Sequence, residues 1–198
     1  MPDLAVLFEE EFDRLGLDIA LSTQKKLVEY LEELERWNKK LNLTALSGKQ
    51  LVRRLIAEPI WIGQQLQMSG TLVDIGSGNG SPAVPIGLSQ NLTEIHLVEA
   101  RARRAAFLRH VTNKVGLPAV VHKLRAEELP KFAGNVHWIS LQAVFPTPLL
   151  LKRLQEALPS TTRVVWITAE NSAAVIRTLR VPVPDSGTVA CIFQLDQF

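Results

Sequence analysis

What the chain lacks narrows it first. One cysteine, Cys191, stands among 198 residues, so no internal disulfide can form and no thiolate cluster can hold a metal. The four histidines, His96, His110, His122 and His137, fall at no ligand spacing, and no metal is expected. No apolar run reaches the roughly 20 residues that a membrane-spanning helix needs. The first eleven residues are acidic, contrary to the positive start of a secretory signal. A cytoplasmic location without a membrane partner is therefore expected. Internal repeats and low-complexity tracts are also missing. No Cys–His or Ser–His–Asp grouping falls near the strand ends read below, so no catalytic residue is singled out.

What is present is an ordinary globular composition, 46% hydrophobic and 21% charged. The net charge of +2 is unevenly spread. Six Lys or Arg and no acid lie between Arg36 and Ala57, and seven and no acid lie between Arg101 and Ala126. Two basic blocks in a near-neutral chain suggest a face for an anionic polymer, against the plainer reading of solvated helix faces.

Periodicity divides the chain into a helical extension, residues 1–70, and an α/β domain, residues 71–198. Asp3 can cap a first helix that carries Leu4, Leu7, Phe8, Phe12 and Leu15 on one face and stops at Gly16. Ser22 can cap a second with the stripe Leu27, Leu31, Leu34, Trp37 and Leu41. A third is expected over residues 49–66, interrupted near Pro59. From residue 71 short apolar runs alternate with helical stretches. The runs are 71–75, 94–98, 119–122, 136–140, 163–167 and 189–193. That rhythm predicts a doubly wound, mostly parallel sheet. Val181-Pro182-Val183-Pro184 cannot be a central strand. Such sheets bind ligands beyond the carboxyl ends of their strands, where Asp74, Glu99 and Ser140 are expected.

The stretch Leu72-Val73-Asp74-Ile75-Gly76-Ser77-Gly78-Asn79-Gly80-Ser81-Pro82 reads as a strand, a tight glycine turn and a helix start. Two nucleoside cofactors fit it. Gly78-Asn79-Gly80-Ser81-Pro82-Ala83 matches G-x-G-x-x-A, the dinucleotide fingerprint, and leaves an NAD-linked oxidoreductase open. Asp-x-Gly-x-Gly-x-Gly is the pattern of class I methyltransferases that use S-adenosylmethionine (AdoMet). In those an acid can face the cationic methionine end, where a pyrophosphate would be repelled. Glu99, twenty-five residues after Asp74, can accept both ribose hydroxyls of an adenosine. Asn38, Asn42 and Thr44 are poor helix-interior residues that can end the second helix. With Lys39 and Lys40 they can equally form a polar wall over a cofactor mouth.

One family carries these elements in order. Trp37-Asn-x-x-x-Asn42-Leu43-Thr44, Leu51-Val52-Arg53, the Asp74 to Pro85 turn, Arg104-x-x-Phe107-Leu108 and Arg125-Ala126-Glu127-Glu128 together resemble the GidB/RsmG methyltransferases. Those modify N7 of a guanine in 16S ribosomal RNA. The resemblance implies a Rossmann-like fold, AdoMet as cofactor, and ribosomal RNA or the small ribosomal subunit as partner of a monomer. It implies cofactor contacts from Asp74, Gly76, Ser77, Gly78, Gly80, Ser81, Glu99, Ala100, Ala126, Glu127 and Ser140. It also implies that Asn42 and Thr44 help close the site and that Arg125 lies near the RNA; Lys39, Lys40, Arg53, Arg54, Arg101, Arg103, Arg104 and Arg125 are the candidates for phosphate contact. The chain departs from the family at several points. Arg54 replaces a His, Glu58-Pro59 an Asp-Ser, Leu141 a strand-end Arg and Thr168 a strand-end Lys. The last two losses raise an alternative, a methyltransferase fold serving as an RNA-binding module.

Overall fold

In a computed structural model that describes residues 4–132, 135–175 and 179–197, helices flank one seven-stranded sheet. Two helices come first. α1 (Leu4–Leu15) buries Leu7, Phe8, Phe12 and Leu15, and Gly16 follows in the left-handed region that ends helices. Asp3, read as its cap, lies outside the described residues. α2 (Leu21–Leu41) begins one residue before Ser22, so Ser22 is not its cap. Ala20 holds that position and has no polar side chain to offer. The third helical stretch continues past the expected break. α3 (Gly48–Val52), a π-turn over Arg53–Ala57 and α4 (Glu58–Gln65) run on without a gap. Pro59 sits in the first turn of α4, where a missing N–H is tolerated, and the widened turn falls directly before it.

The strands are β1 (Ser69–Ile75), β2 (Asn91–Val98), β3 (Val120–His122), β4 (Trp138–Gln142), β5 (Arg163–Ala169), β6 (Leu179–Pro182) and β7 (Thr188–Gln194). Their order is β3-β2-β1-β4-β5-β7-β6. The first five are parallel, and β7 runs antiparallel to β5 and β6. β6 was not anticipated, because Pro182 removes a ladder donor; it survives as an edge strand, the place where proline is tolerated. α5 (Ala83–Ser89), α6 (Ala102–Lys114) and α7 (Pro148–Ala157) complete the framework.

Alternation along the strands sends side chains to two cores. Leu72, Leu97, Trp138 and Val165 pack with α1 through α6, so the N-terminal helices and one sheet face share a single apolar cluster. Val73, Ile139, Leu141 and Trp166 face α7 on the other side.

The N-terminal helices are also pinned by charge. Glu11 on α1 has no exposed surface; it receives a two-pronged bond from Arg53 at 2.9 Å on each oxygen and another from Arg14 at 2.8 Å. Burial pushes the Glu11 carboxyl up, but hydrogen bonds and charge from Arg53 and Arg14 outweigh this and hold it below its ordinary value. Its contribution is therefore present at neutral pH and lost as pH falls through the lowered value. Glu11→Gln leaves two arginines without their counter-charge. Urea unfolding should show a loss of about 3 kcal/mol at neutral pH, and the gap from the parent protein should close in acid.

Candidate functional site

The site grows from the chain reversal after β1. Gly76, Gly78 and Gly80 have φ of +73°, +49° and +97°. The turn is clamped from behind by β2. The N–H groups of Gly76 and Ser77 both donate to the Val98 carbonyl, and that of Gly78 donates to Glu99 Oε2 at 3.1 Å. Glu99 Oε1 accepts from the Arg101 N–H at 2.7 Å. At Gly76 a Cβ would come 2.7 Å from Val144 Cγ2, so only glycine fits. At Gly78 a Cβ would meet only the Gly76 carbonyl and Arg104 at ordinary contact distance, which leaves the main chain bare toward the solvent side.

Two cavities flank this turn and share Gly76. The larger, about 690 Å³, is lined by Glu99, Ala100, Arg101, Arg125, Ala126 and Glu127 among others. The smaller, about 360 Å³, is lined by Gly76, Ser77, Gly78 and Ser81 on the turn. Leu43, Thr44, Arg54 and Glu58 face it from the N-terminal helices, and Gln142, Thr168 and Thr188 from the sheet. Eight of the expected cofactor residues, together with the RNA candidates Thr44, Arg54, Arg104 and Arg125, thus line one hollow or the other. The residues present suit a nucleoside linked to an amino acid. Each Glu99 oxygen keeps a second lone pair for a hydroxyl, and Ser81 Oγ is buried in the lining without a partner.

Three expected contacts lie elsewhere. Asp74 is 1% exposed and lines neither cavity. Its Oδ1 accepts from Ser140 Oγ at 2.5 Å, and its Oδ2 has no partner. Ser140 is not at a strand end, because β4 runs two residues further; it sits opposite Asp74 in register, and Gln142 and Ala143 take the rim instead. Gly80 packs beneath the turn against Val84 and Tyr30. The helix start also differs from expectation. Ala83 and Val84 are buried, and the Val84 N–H is taken by the Gly80 carbonyl, so α5 offers no seat for a pyrophosphate.

The end of α2 explains the Trp37 motif. Asn38 Oδ1 accepts from the Leu43 and Thr44 N–H groups, and its Nδ2 donates to the Thr44 carbonyl. Asn42 takes the left-handed conformation, and its carbonyl accepts from Arg104. Its side chain is exposed, as are Lys39 and Lys40. Trp37 packs on Phe107 and His110. Arg53, expected to face an anion, is engaged with Glu11.

Residues that sequence reasoning passed over complete the site. Tyr30, the lone tyrosine, is buried and donates to the Asn79 carbonyl at 2.8 Å. Burial and the nearby Asp74 charge push its hydroxyl up. Its place in an apolar stripe hid it. Glu58 is 1% exposed; its Oε2 accepts from Thr188 Oγ1 at 2.8 Å and from Arg54, which also bonds Thr188. Burial raises the Glu58 carboxyl despite Thr188, Arg54 and Ser186, which favour its charged form. Thr188 lies 130 residues away along the chain and carried no signal.

Asp74 is pushed up to about 7, chiefly by burial and in part by Glu99, against the hydrogen bonds from Ser140 and Ser77. A carboxyl raised on folding contributes stability below its unfolded value of 3.8 and loses it as pH rises toward 7. Asp74→Asn should therefore gain in melting temperature relative to the parent as pH rises from 4 to 7. Parallel melts at both ends of that window check it.

Comparisons with known proteins agree with this geometry. The model of the GidB family, rRNA small subunit methyltransferase G, matches residues 23–183. A ribosomal RNA small subunit methyltransferase G from Geotalea uraniireducens is 30% identical over 76% of this chain and 70% of its own. One from Xylella fastidiosa is 37% identical over 65% and 60%. One from Geobacter metallireducens is 29% identical over 70% of this chain, which spans 64% of that relative's length. Among solved structures, a candidate S-adenosyl-L-methionine-dependent methyltransferase from Methanococcus maripaludis aligns with TM-score 0.50 at 15% identity, over 59% of this chain and 58% of its own. A candidate methyltransferase from Escherichia coli aligns with TM-score 0.56 at 10% identity, over 71% and 85%. At such identities the likeness establishes the fold, that of class I methyltransferases.

Proposed function

The chain belongs to the GidB family, rRNA small subunit methyltransferase G, and on that premise we propose that it transfers a methyl group from AdoMet to N7 of a guanine in 16S ribosomal RNA. It would do so as a cytoplasmic monomer acting on the small ribosomal subunit. The observation that carries this reading is the pair of cavities meeting at Gly76, with the open main chain of Gly78 beside it. The larger suits the adenosine, with Glu99 accepting the ribose hydroxyls and Ala100, Ala126 and Glu127 along the adenine. Residues 76–81 suit the methionine end, and the smaller cavity suits the accepting base.

When bound, AdoMet supplies a methyl group already activated by its sulfonium. Guanine N7 has a free lone pair and no proton to lose, so this chain needs no general base. Its residues act by alignment and by excluding water. Leu43, Leu55 and Ile167 give the smaller cavity apolar walls for a base drawn out of its stack. The cations that suit phosphate are Arg104 in the lining of the smaller cavity, Arg125 in that of the larger, and exposed Lys39 and Lys40, while Arg54 is engaged with Glu58 and Thr188.

A second reading has a specific basis. Leu141 and Thr168 stand where the resemblance leads one to expect Arg and Lys. Leu141 is fully buried in the α7 core, so no cation reaches the site from that position. This favours an RNA-binding protein without turnover.

AdoMet at about a hundredfold excess over its dissociation constant should raise the melting temperature by roughly 5–10 °C, and NAD should not. Gly78→Val should erase that rise by filling the bare face. Transfer of labelled methyl into small subunits that lack the mark separates the two readings. Incorporation supports the enzyme, and an AdoMet-stabilised protein that leaves the RNA unlabelled supports the second.

A further inference from the structure

The smaller cavity holds one polar group that nothing above has used. Glu58 is almost wholly buried, yet it lines the hollow. Its two oxygens are in unequal states. Oε2 is occupied by Thr188 Oγ1 and by Arg54. Oε1 is buried and makes no hydrogen bond. An acceptor left so in a protein interior is costly unless a ligand completes it. The surrounding apolar walls, Leu43, Leu46, Leu55 and Ile167, suit the faces of a flat ring. What is missing is a donor at the ring's edge.

We propose that Glu58 reads the donor edge of the methyl-accepting base, taking its N1–H and exocyclic amine, and so selects guanine. The inference rests on the methyltransfer reading and names the residue that gives it base specificity. Guanine presents two donors on that edge, and adenine presents a ring acceptor at N1 that a carboxylate repels. The same edge lies across the purine from N7. A base held there by Glu58 turns N7 toward the rest of the cavity, whose lining includes the glycine turn. Thr188 and Arg54 are positioning residues that fix Oε2. The charges on Arg54 and Arg14 favour the acceptor form of Glu58, against the burial that raises its carboxyl.

Glu58→Gln tests this, because glutamine keeps the volume and can still accept from Thr188, but places an amide donor where Oε1 stood. With small subunits lacking the mark, kcat/KM for methyl transfer should fall by roughly 10- to 100-fold, while the AdoMet-induced rise in melting temperature stays. A variant with parental kcat/KM overturns the assignment, as does one that loses the AdoMet response. A second measurement does not depend on turnover. In AdoMet-saturated protein, binding of GMP and AMP is compared by NMR. The parent should favour GMP by at least roughly tenfold, and Glu58→Gln should lose that preference. Equal binding of the two nucleotides by the parent overturns the proposal. A protein that prefers GMP but labels no RNA retains Glu58 as a base reader and refutes the methyltransfer reading alone.

Discussion

The opening of the glycine turn is held by the end of β2. Val98 supplies a carbonyl to two successive N–H groups, and Glu99 supplies a carboxylate to a third. Three of the turn's donors are thereby satisfied from the β2 side, so the main chain at Gly78 can stay open on its other face. Everything else follows from that asymmetry. Two hollows meet at Gly76, and Glu99 has a fixed place because its oxygens are already tethered to main-chain donors. The left-handed angles at 76 and 78 are the structural requirement of that arrangement.

The N-terminal helices are part of the site and not an appendage to it. They give the smaller cavity Leu43, Thr44, Leu46, Arg54, Leu55 and Glu58, while the sheet side gives it Gln142, Ile167, Thr168 and Thr188. Their grip on the sheet is mostly apolar, through the shared cluster under α1 to α6. The Glu11–Arg53 pair orients it, and it also separates two neighbouring arginines by task. Arg53 points to α1 and Arg54 to Glu58 and Thr188. A single turn of π-helix begins at those two residues.

Most of the fold was legible because its signals are periodic. The stripes of α1 and α2, the six strand runs and the glycine turn each declare themselves within a few residues. The residues framing the larger cavity follow from the same logic, since Glu99 and Ala126 lie just after short apolar runs. What failed was burial of polar groups by distant partners. Asp74 looked like a ligand contact because it ends an apolar run, yet Ser140, 66 residues on, draws it inward. Glu58 looked like a mere departure from a motif. Only the antiparallel return of β7 puts Thr188 against it. Arg53 and Arg54 are identical in type and adjacent in sequence, and nothing local says which of them belongs to Glu11.

The two hollows touch at one residue and otherwise have different rims, the larger bordered by β2 and the 3₁₀ turn at 126–128, the smaller by α4 and β7. On the proposed reading, donor and acceptor would approach the glycine turn from different rims and meet only where the hollows share Gly76.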